Sequence, residues 1–334
     1  MNTQSPSDAT VPFEPKYPVD LTLVIPLLNE EESLRPLMEK IRDTLNNSGL
    51  TYEIIFIDDG SKDGSMHVLE ELHAAHKEVN VIQFRRNFGK AAAYTAGFAR
   101  AKGQFVITMD ADLQDDPAEI PGLLAKLDEG YDLVSGWKKK RFDPLGKTLP
   151  SKFFNWVTGR VSGIKIHDFN CGLKAYRNEV VKNIEVYGEM HRYIPVIAKW
   201  NGFPKIGEKA VEHRARKFGS TKFGMDRFIN GFLDLMSLYF MSKFGKRPMH
   251  FFGLYGVLSF VIGFAMAAWI LVDKLVHIWQ NTSARLVTDN PLFYIGLIAM
   301  VIGTQLFLAG FLGELVSRSN PERDQYNIRQ RTDS

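Results

Sequence analysis

Two long stretches without a charged side chain constrain the architecture of this chain most. Residues 251–272 and 292–313 each run for 22 residues without Asp, Glu, Lys or Arg. As helices, each would extend about 33 Å at a rise of ~1.5 Å per residue, which suffices to cross the hydrocarbon core of a bilayer. We therefore predict two transmembrane helices, over 251–272 and 292–313 within residues 248–317, behind a longer segment of soluble composition.

The charges around these two runs predict their orientation. The basic residues that flank the runs on the outside are Lys243, Lys246, Arg247, Arg318 and Arg323. The connecting loop over 273–291 holds two cations and two carboxylates, namely Lys274, Arg285, Asp273 and Asp289. The positive-inside rule then puts both termini in the cytoplasm, together with the segment before the runs. We expect a multi-pass protein of the inner (plasma) membrane, with an amphipathic interfacial segment over 225–247 and a cytoplasmic tail over 318–334.

Composition narrows the remaining choices. The net charge of the 334 residues is only +3, so bulk charge does not indicate a nucleic-acid partner. Cys171 is the single cysteine, which excludes a disulfide within the chain and favours a small buried residue over a nucleophile. Residues 1–19 are polar and contain proline, and they lack the apolar core of a signal peptide. We interpret them as a flexible lead.

An apolar strand that ends in carboxylates is the most informative stretch of the soluble segment. Residues 105–109 predict a buried strand, and Asp110, Asp112, Asp115 and Asp116 follow it within seven residues. Asp-x-Asp at the end of a strand suits a hard divalent cation that shares its remaining ligands with water and substrate phosphates, and Gln114 can add a neutral oxygen. The alternative interpretation is an acidic loop that is simply solvated.

Strands alternate with helices from residue 21 to about residue 135, which predicts an α/β domain with a mostly parallel sheet and helices on both faces. Ligands of such sheets bind outside the carboxyl ends of the strands. Three strand ends carry polar pairs that would line one crevice: Asn29 and Glu30, Asp58 and Asp59, Asp110 and Asp112. No glycine-rich dinucleotide or P-loop motif follows these strands, so an acidic crevice of this kind needs a metal to hold a diphosphate.

Several further segments have patterns that are less specific. Residues 214–224 combine four cations, two hydroxyls and two glycines, as in a loop that closes on phosphate, or as in a basic linker beside an anionic membrane. Residues 137–141 form a basic run that a solvated loop would explain. Asp168 can simply cap a turn. In the second apolar run, Gly296, Gly303 and Gly310 recur every seven residues, so that the first run or another copy of the protein can pack closely against them.

The order of these motifs resembles that of the family 2 glycosyltransferases. The matching segments are 24–30 (VIPLLNE), 58–65 (DDGSKDGS), 86–90 (RNFGK), 110–117 (DADLQDDP), 168–174 (DFNCGLK) and 216–223 (RKFGSTKF). More narrowly, the chain resembles the polyprenyl-phosphate glycosyltransferases, which include dolichyl-phosphate mannose synthase and bactoprenol glucosyltransferase. The Gln-x-x-Arg-Trp motif of processive polysaccharide synthases is absent, which argues against a polymerase.

The resemblance implies a GT-A fold over residues 20–224, a nucleotide-sugar donor and a polyprenyl phosphate acceptor. It implies that Asp110, Asp112 and Gln114 bind Mg²⁺ or Mn²⁺ at the donor diphosphate. The residues implied to bind substrates are Pro26, Glu30, Asp58, Asp59, Lys90, Arg214, Arg216, Ser220 and Lys222. Asp168 is a catalytic candidate that would orient donor or acceptor, and it is not assigned as a base.

The expected reaction is an inverting transfer to undecaprenyl phosphate that gives a β-linked polyprenyl phosphosugar. We expect UDP-glucose as donor, with GDP-mannose or a modified UDP-pentose as alternatives. The lipid bilayer, a second copy of the chain and a lipid-sugar flippase are the expected partners. Two other classes remain open: a catalytically silent nucleotide-binding scaffold in the membrane, and a nucleotidyltransferase that would release pyrophosphate.

Overall fold

The computed structural model describes residues 16–139, 155–188, 190–212, 236, 240, 248–283 and 286–318. The chain divides into two compact units, Met1–Leu235 and Met236–Ser334. The first unit holds the sheet and its helices, and the second holds the two long apolar helices.

A single sheet dominates the described part of the first unit. Its strands are β1 (Val19–Leu27), β2 (Tyr52–Asp58), β3 (Val79–Gln83), β4 (Gly103–Thr108), β5 (Leu133–Lys138), β6 (Lys174–Arg177) and β7 (Ile206–Val211). Their order across the sheet is β3-β2-β1-β4-β6-β5-β7. β1 pairs in parallel with β2 and β4, β2 with β3, and β5 with β7. The predicted mostly parallel sheet is therefore confirmed.

The position of β1 inside the sheet follows from its sequence. Leu21, Leu23, Val24 and Ile25 are fully buried, as expected of a strand that neighbouring strands and helices cover on both faces. β1 has no free edge, because β2 and β4 flank it. Its carboxyl end is consequently surrounded by other strand ends, which is where the polar residues gather.

Helices cover the sheet on both faces. The α-helices among the described residues of the first unit are α1 (Glu31–Leu45), α2 (Ser65–Ala75), α3 (Lys90–Arg100), α4 (Ile120–Asp128), α5 (155–162), α6 (Asn178–Lys182) and α7 (Ile194–Trp200). The buried residues of α1, α2 and α4 form one core with Leu23 and Ile25. α3 lies on the other face, because a Cβ at Gly97 would come 3.1 Å from Ile57 Cδ1 and would meet the Val24 side chain.

β6 interrupts the parallel order of the sheet. It runs antiparallel to both β4 and β5, so that Lys174, at its start, pairs with Thr108 at the end of β4 and with Ser135 of β5. Because β6 begins beside the carboxyl end of β4, the first residues of β6 lie next to the predicted crevice.

The described part of the second unit contains an antiparallel pair of long helices, α8 (Pro248–Trp279) and α9 (Pro291–Arg318). Both are long and apolar enough to cross a membrane, and an 18-residue stretch of each has a mean hydropathy of 2.1. Glycines face each other between them: a Cβ at Gly256 would lie 2.7 Å from the Gly303 carbonyl oxygen, and one at Gly296 would lie 2.9 Å from that of Gly263. Of the two partners that the sequence left open for the glycine face of the second run, the first run is the one it contacts.

Candidate active site

The carboxyl ends of β1, β2 and β4 meet at one edge of the sheet. Leu27 pairs with Asp58, and Val24 pairs with Thr108, so the three strands end within a few residues of one another. Pro26 is buried near the end of β1, and Asp58 is the last residue of β2. The register thus brings the polar residues that follow these strands into the same neighbourhood.

The loops after β1 and β2 are tied together by hydrogen bonds. The Asn29 amide donates to Ser61 Oγ at 2.8 Å, and the Lys62 amide donates to Asn29 Oδ1 at 2.7 Å. Asn29 holds a left-handed conformation (φ 53°), which asparagine tolerates better than most residues. The next amide, that of Glu30, donates to Ser65 Oγ at 2.9 Å. Glu30 is therefore fixed at the start of α1 by the hydrogen bond from its backbone amide to the side chain of Ser65 in α2.

Asp58 and Asp59 have different surroundings although they are adjacent. Asp58 is fully buried; its Oδ1 accepts from the Ser61 amide at 2.9 Å, while its Oδ2 is buried without a hydrogen-bond partner among the described residues. Asp59 uses both oxygens, which accept from the amides of Phe88 (2.7 Å) and Gly89 (2.9 Å). Asp59 therefore fastens the loop before α3, whereas Asp58 keeps an oxygen that a ligand can satisfy.

Lys90 and Asp110 form the centre of the site. Lys90 begins α3, and its ammonium group makes a short ion pair with Asp110 Oδ1; the two side chains are 30% and 29% exposed. Burial alone would raise the pKa of Asp110, but the charges of Lys90 and Lys138 outweigh it and lower the pKa to about 2. Asp110 is thus a partly accessible carboxylate that stays ionised at neutral pH.

Close packing around Asp110 explains one glycine of the 168–174 segment. A Cβ at Gly172 would lie 2.6 Å from Asp110 Oδ2. Because real Cβ atoms do not approach an oxygen this closely, any other residue at position 172 would displace the Asp110 carboxylate. The absence of a side chain at Gly172 therefore leaves the space that the Asp110 carboxylate occupies.

Asp112 and Gln114 lie in the turn that follows Asp110. The Gln114 amide donates to Asp112 Oδ1 at 3.1 Å, and Leu113 between them has a positive φ of 61°. Both side chains are partly exposed. Asp110, Asp112 and Gln114 offer two carboxylates and an amide oxygen, a donor set that fits a hard divalent cation. In the structure the ammonium group of Lys90 lies beside Asp110 and supplies a positive charge there. Among the described residues no group of three His, Cys, Asp or Glu forms a complete ligand set, so substrate and water would have to complete it.

The other two carboxylates of the acidic stretch have structural partners. Asp115 is 1% exposed and pairs with Lys138 Nζ at 3.0 Å, and Asp116 caps the turn at Pro117–Glu119 by accepting from the Ala118 amide at 3.2 Å. Burial disfavours the charge of Lys138, but Asp115 and Asp110 outweigh it and raise the lysine pKa. The interpretation of 137–141 as a solvated loop is wrong for Lys138, since this residue ends β5 and its side chain is 14% exposed.

Asp168 and Cys171 precede β6 and are both buried. Asp168 Oδ1 accepts from the Asn170 amide at 3.0 Å, a local turn of the kind that the sequence allowed. Burial raises the pKa of the Cys171 thiol to about 12, so that it stays protonated at neutral pH. The expectation of a small buried residue is confirmed for Cys171.

Lys138, Lys174 and His191 belong to these surroundings and were not predicted as site residues. Lys174 is 3% exposed, its ammonium group donates to the Cys171 carbonyl oxygen, and burial lowers its pKa. All three come from segments after residue 130: Lys138 ends β5, Lys174 begins the antiparallel strand β6, and His191 lies in the short 3-10 helix Met190–Tyr193. An apolar strand directly before Lys138 was the one signal in the sequence that could have identified it.

Four predicted substrate-binding residues lie outside the described residues: Arg214, Arg216, Ser220 and Lys222. The same holds for most of 225–247, for 319–334 and for residues 1–15 of the predicted lead.

Comparison with known proteins agrees with the motifs and the sheet. Residues 22–185 match the model of Glycosyl transferase family 2. The chain is 34% identical over 324 residues to dodecaprenyl-phosphate galacturonate synthase of Rhizobium johnstonii, covering 95% of this chain and 94% of that one. It is 34% identical to undecaprenyl-phosphate 4-deoxy-4-formamido-L-arabinose transferase of Pseudomonas paraeruginosa, covering 90% of this chain and 86% of that one.

A solved structure of glucosyl-3-phosphoglycerate synthase from Mycobacterium tuberculosis, in complex with Mn²⁺, UDP and its product, shares the fold. Its TM-score is 0.50 at 18% identity, over 67% of this chain and 80% of that one.

The chain belongs to glycosyl transferase family 2, and its catalytic unit has a GT-A fold. It is a glycosyltransferase whose relatives along nearly the whole length are polyprenyl-phosphate sugar transferases.

Proposed function

We propose that this enzyme transfers a sugar from a nucleoside diphosphate donor to polyprenyl phosphate at the cytoplasmic face of the membrane. The observation that carries the proposal is the similarity to a dodecaprenyl-phosphate galacturonate synthase over 95% of the chain, which includes the apolar helices as well as the sheet. An acceptor with a long isoprenoid tail resides in the bilayer, so an enzyme with two apolar helices is suited to meet it there.

The chemistry follows from the charge of the acceptor. A phosphate monoester is largely ionised near neutral pH, and so it needs no strong general base. One of its oxygens attacks the anomeric carbon while the bond from that carbon to the donor diphosphate breaks, which inverts the configuration. From an α-linked donor the product is a β-linked polyprenyl phosphosugar and a free nucleoside diphosphate.

The residues of the site divide the remaining tasks. Asp58, with one unpartnered buried oxygen, is suited to bind the nucleoside together with Pro26 and Glu30. Lys90 is suited to follow the negative charge that grows on the departing diphosphate, since its ammonium group is partly exposed beside Asp110. Mg²⁺ or Mn²⁺ held by Asp110, Asp112 and Gln114 would supply further charge neutralisation. Arg214, Arg216, Ser220 and Lys222 stay proposals for phosphate contacts, and Asp168 for orientation of the substrates.

The donor sugar is the finer part of the proposal. UDP-glucose is our prediction from the sequence. A nucleotide-linked uronic acid is a second candidate, favoured by the relative that is named as a galacturonate synthase, and a formamido-arabinose donor is a third. GDP-mannose, the other alternative from the sequence, is a fourth candidate and differs from the rest in its base.

The test is a donor screen with the purified full-length protein in detergent. The mixtures contain undecaprenyl phosphate, Mg²⁺ or Mn²⁺, and one of UDP-glucose, UDP-galacturonate, UDP-formamido-arabinose or GDP-mannose, and mass spectrometry follows the lipid product. We expect one donor to give a phosphosugar and EDTA to stop its formation. If nucleotide binds and no donor yields a lipid-linked sugar, the silent scaffold is the better interpretation; release of pyrophosphate from a nucleoside triphosphate would indicate a nucleotidyltransferase.

Asp112→Asn tests the assigned carboxylate. It removes one charge from the predicted cation site, and we expect turnover to fall by about 10²–10³-fold, the size of loss for one preorganised electrostatic contact. Asp128→Asn is the matched control, because Asp128 is exposed at the end of α4. Equal activity of the two variants would contradict the assignment of Asp112.

A further inference from the structure

His191 has a ring nitrogen that is buried without a hydrogen-bond partner among the described residues, close to the charged centre of the site. Its Nδ1 is buried and has no partner among the described residues, although the residue as a whole is half-buried. Buried polar atoms are almost always hydrogen-bonded in native structures. An exception beside an active site therefore indicates an atom that a ligand satisfies.

The backbone around His191 is held firmly. It lies in the short 3-10 helix Met190–Tyr193, whose residues Met190, Arg192 and Tyr193 are 5%, 7% and 0% exposed. The chain just before this helix is tied to α3, because Thr95 Oγ1 donates to the Val186 carbonyl oxygen at 2.7 Å. His191 is thus fixed against the helix that begins with Lys90.

The 3-10 helix that holds His191 packs against α3, the helix that begins with Lys90. Burial lowers the pKa of His191 well below 6.5, Lys90, Arg192 and Lys174 lower it further, and Asp110 opposes them. The ring therefore lies in the field of the Lys90–Asp110 pair and stays neutral at physiological pH. A neutral imidazole group adds no charge for a phosphate, but it has one donor and one acceptor nitrogen, whereas lysine and arginine can only donate.

We propose that His191 hydrogen-bonds a hydroxyl group of the donor sugar and so contributes to sugar recognition. A hydroxyl group both donates and accepts, as a neutral imidazole group does. The isoprenoid tail has no such group, and the nucleoside is assigned to the ends of β1 and β2, whereas the helix of His191 packs against α3, whose first residue pairs with Asp110. This inference rests on the proposed sugar transfer.

The test compares nucleotide with nucleotide sugar. Titration calorimetry with Mn²⁺ measures the affinities of wild type, His191→Phe and His191→Gln for UDP, UDP-glucose and UDP-galacturonate. We expect His191→Phe to bind UDP within about twofold of wild type. For the nucleotide sugar that wild type uses, we expect the affinity of His191→Phe, and its kcat/KM in the lipid-product assay, to fall by roughly 10–100-fold, as for loss of a hydrogen bond that a site makes to a substrate hydroxyl. His191→Gln, which retains a donor and an acceptor, should recover part of the loss.

Two results would overturn the inference. One is an equal loss of UDP and nucleotide-sugar binding in both variants while their melting temperatures match wild type. The other is wild-type kinetics for every donor. His67→Phe is the matched control, since His67 is exposed on α2. A wild type that transfers none of the sugars would refute the proposed function, and the binding titrations would still decide the role of His191.

Discussion

The acidic stretch after β4 shows how each carboxylate is given its own partner. Asp110 pairs with Lys90 and Asp115 with Lys138, while Asp112 accepts from the Gln114 amide and Asp116 from the Ala118 amide. Like charges this close would repel one another if they were unpaired. The two lysines belong to α3 and β5, outside the loop, so their charges reach the carboxylates only when the unit is folded.

Lys138→Met tests the buried ion pair at the scale of the residue. Asp115 is 1% exposed and would be left in the interior without its cationic partner, and a buried pair that loses one member destabilises a protein by about 3–5 kcal/mol. We expect a clear drop in the unfolding midpoint of Lys138→Met in urea. The double variant Lys138→Met/Asp115→Leu should lose much less, because no buried charge is left over.

Lys126→Met is the control for this pair. Lys126 and Glu129 form an exposed ion pair at 2.8 Å on the surface of α4, which is worth only ~0–1 kcal/mol. Equal destabilisation by Lys126→Met and Lys138→Met would contradict the account of Asp115 and Lys138.

The residues that could be predicted from the sequence are those whose neighbours are close in the chain. Asp110, Asp112 and Gln114 follow one strand directly, and strand alternation alone suggested their common edge with Asp58 and Glu30. The positions of Lys174 and His191 near the site could not be predicted. They depend on the antiparallel insertion of β6 between β4 and β5, and no local sequence pattern indicates that strand order. The separate roles of Asp58 and Asp59 likewise depend on the loop at Phe88 and Gly89, about 30 residues away.

At the scale of elements, the contact between α8 and α9 depends on small residues. Gly256 lies against Gly303 and Gly263 against Gly296, so the two backbones approach closely. Ser259 Oγ donates across the pair to the Ala299 carbonyl oxygen at 2.9 Å. Because lipid tails are as apolar as the helices, the hydrophobic effect does not bring helices together in a membrane. Close van der Waals packing and hydrogen bonds between the helices stabilise the pair instead.

Gly263→Leu tests this contact. A Cβ at position 263 would already meet Met300 N at 2.9 Å, so the leucine side chain must push the helices apart. Overpacking of this kind costs about 1–3 kcal/mol, and we expect the helical pair to unfold at a lower SDS fraction. Ala265→Leu, at an exposed position of the same helix, is the control and should change little. Unchanged unfolding of Gly263→Leu would rule out a tight interface.

At the scale of the whole molecule, the positive-inside rule makes a prediction that labelling can check. If both termini are cytoplasmic, the loop between α8 and α9 faces the opposite side. We expect Ser283→Cys, in a Cys171→Ala background, to react with a membrane-impermeant maleimide in intact cells. Asp128→Cys should react only after permeabilisation, and the reverse pattern would invert the proposed topology.

All strands of the described sheet fall between Val19 and Val211, ahead of the first apolar helix at Pro248. The ribosome therefore makes the whole sheet before it makes the membrane anchor. Domains generally fold as units during synthesis, starting from the amino-terminal side. The catalytic unit can thus complete its fold before α8 leaves the ribosome, so that insertion into the bilayer delivers an enzyme whose site is already assembled.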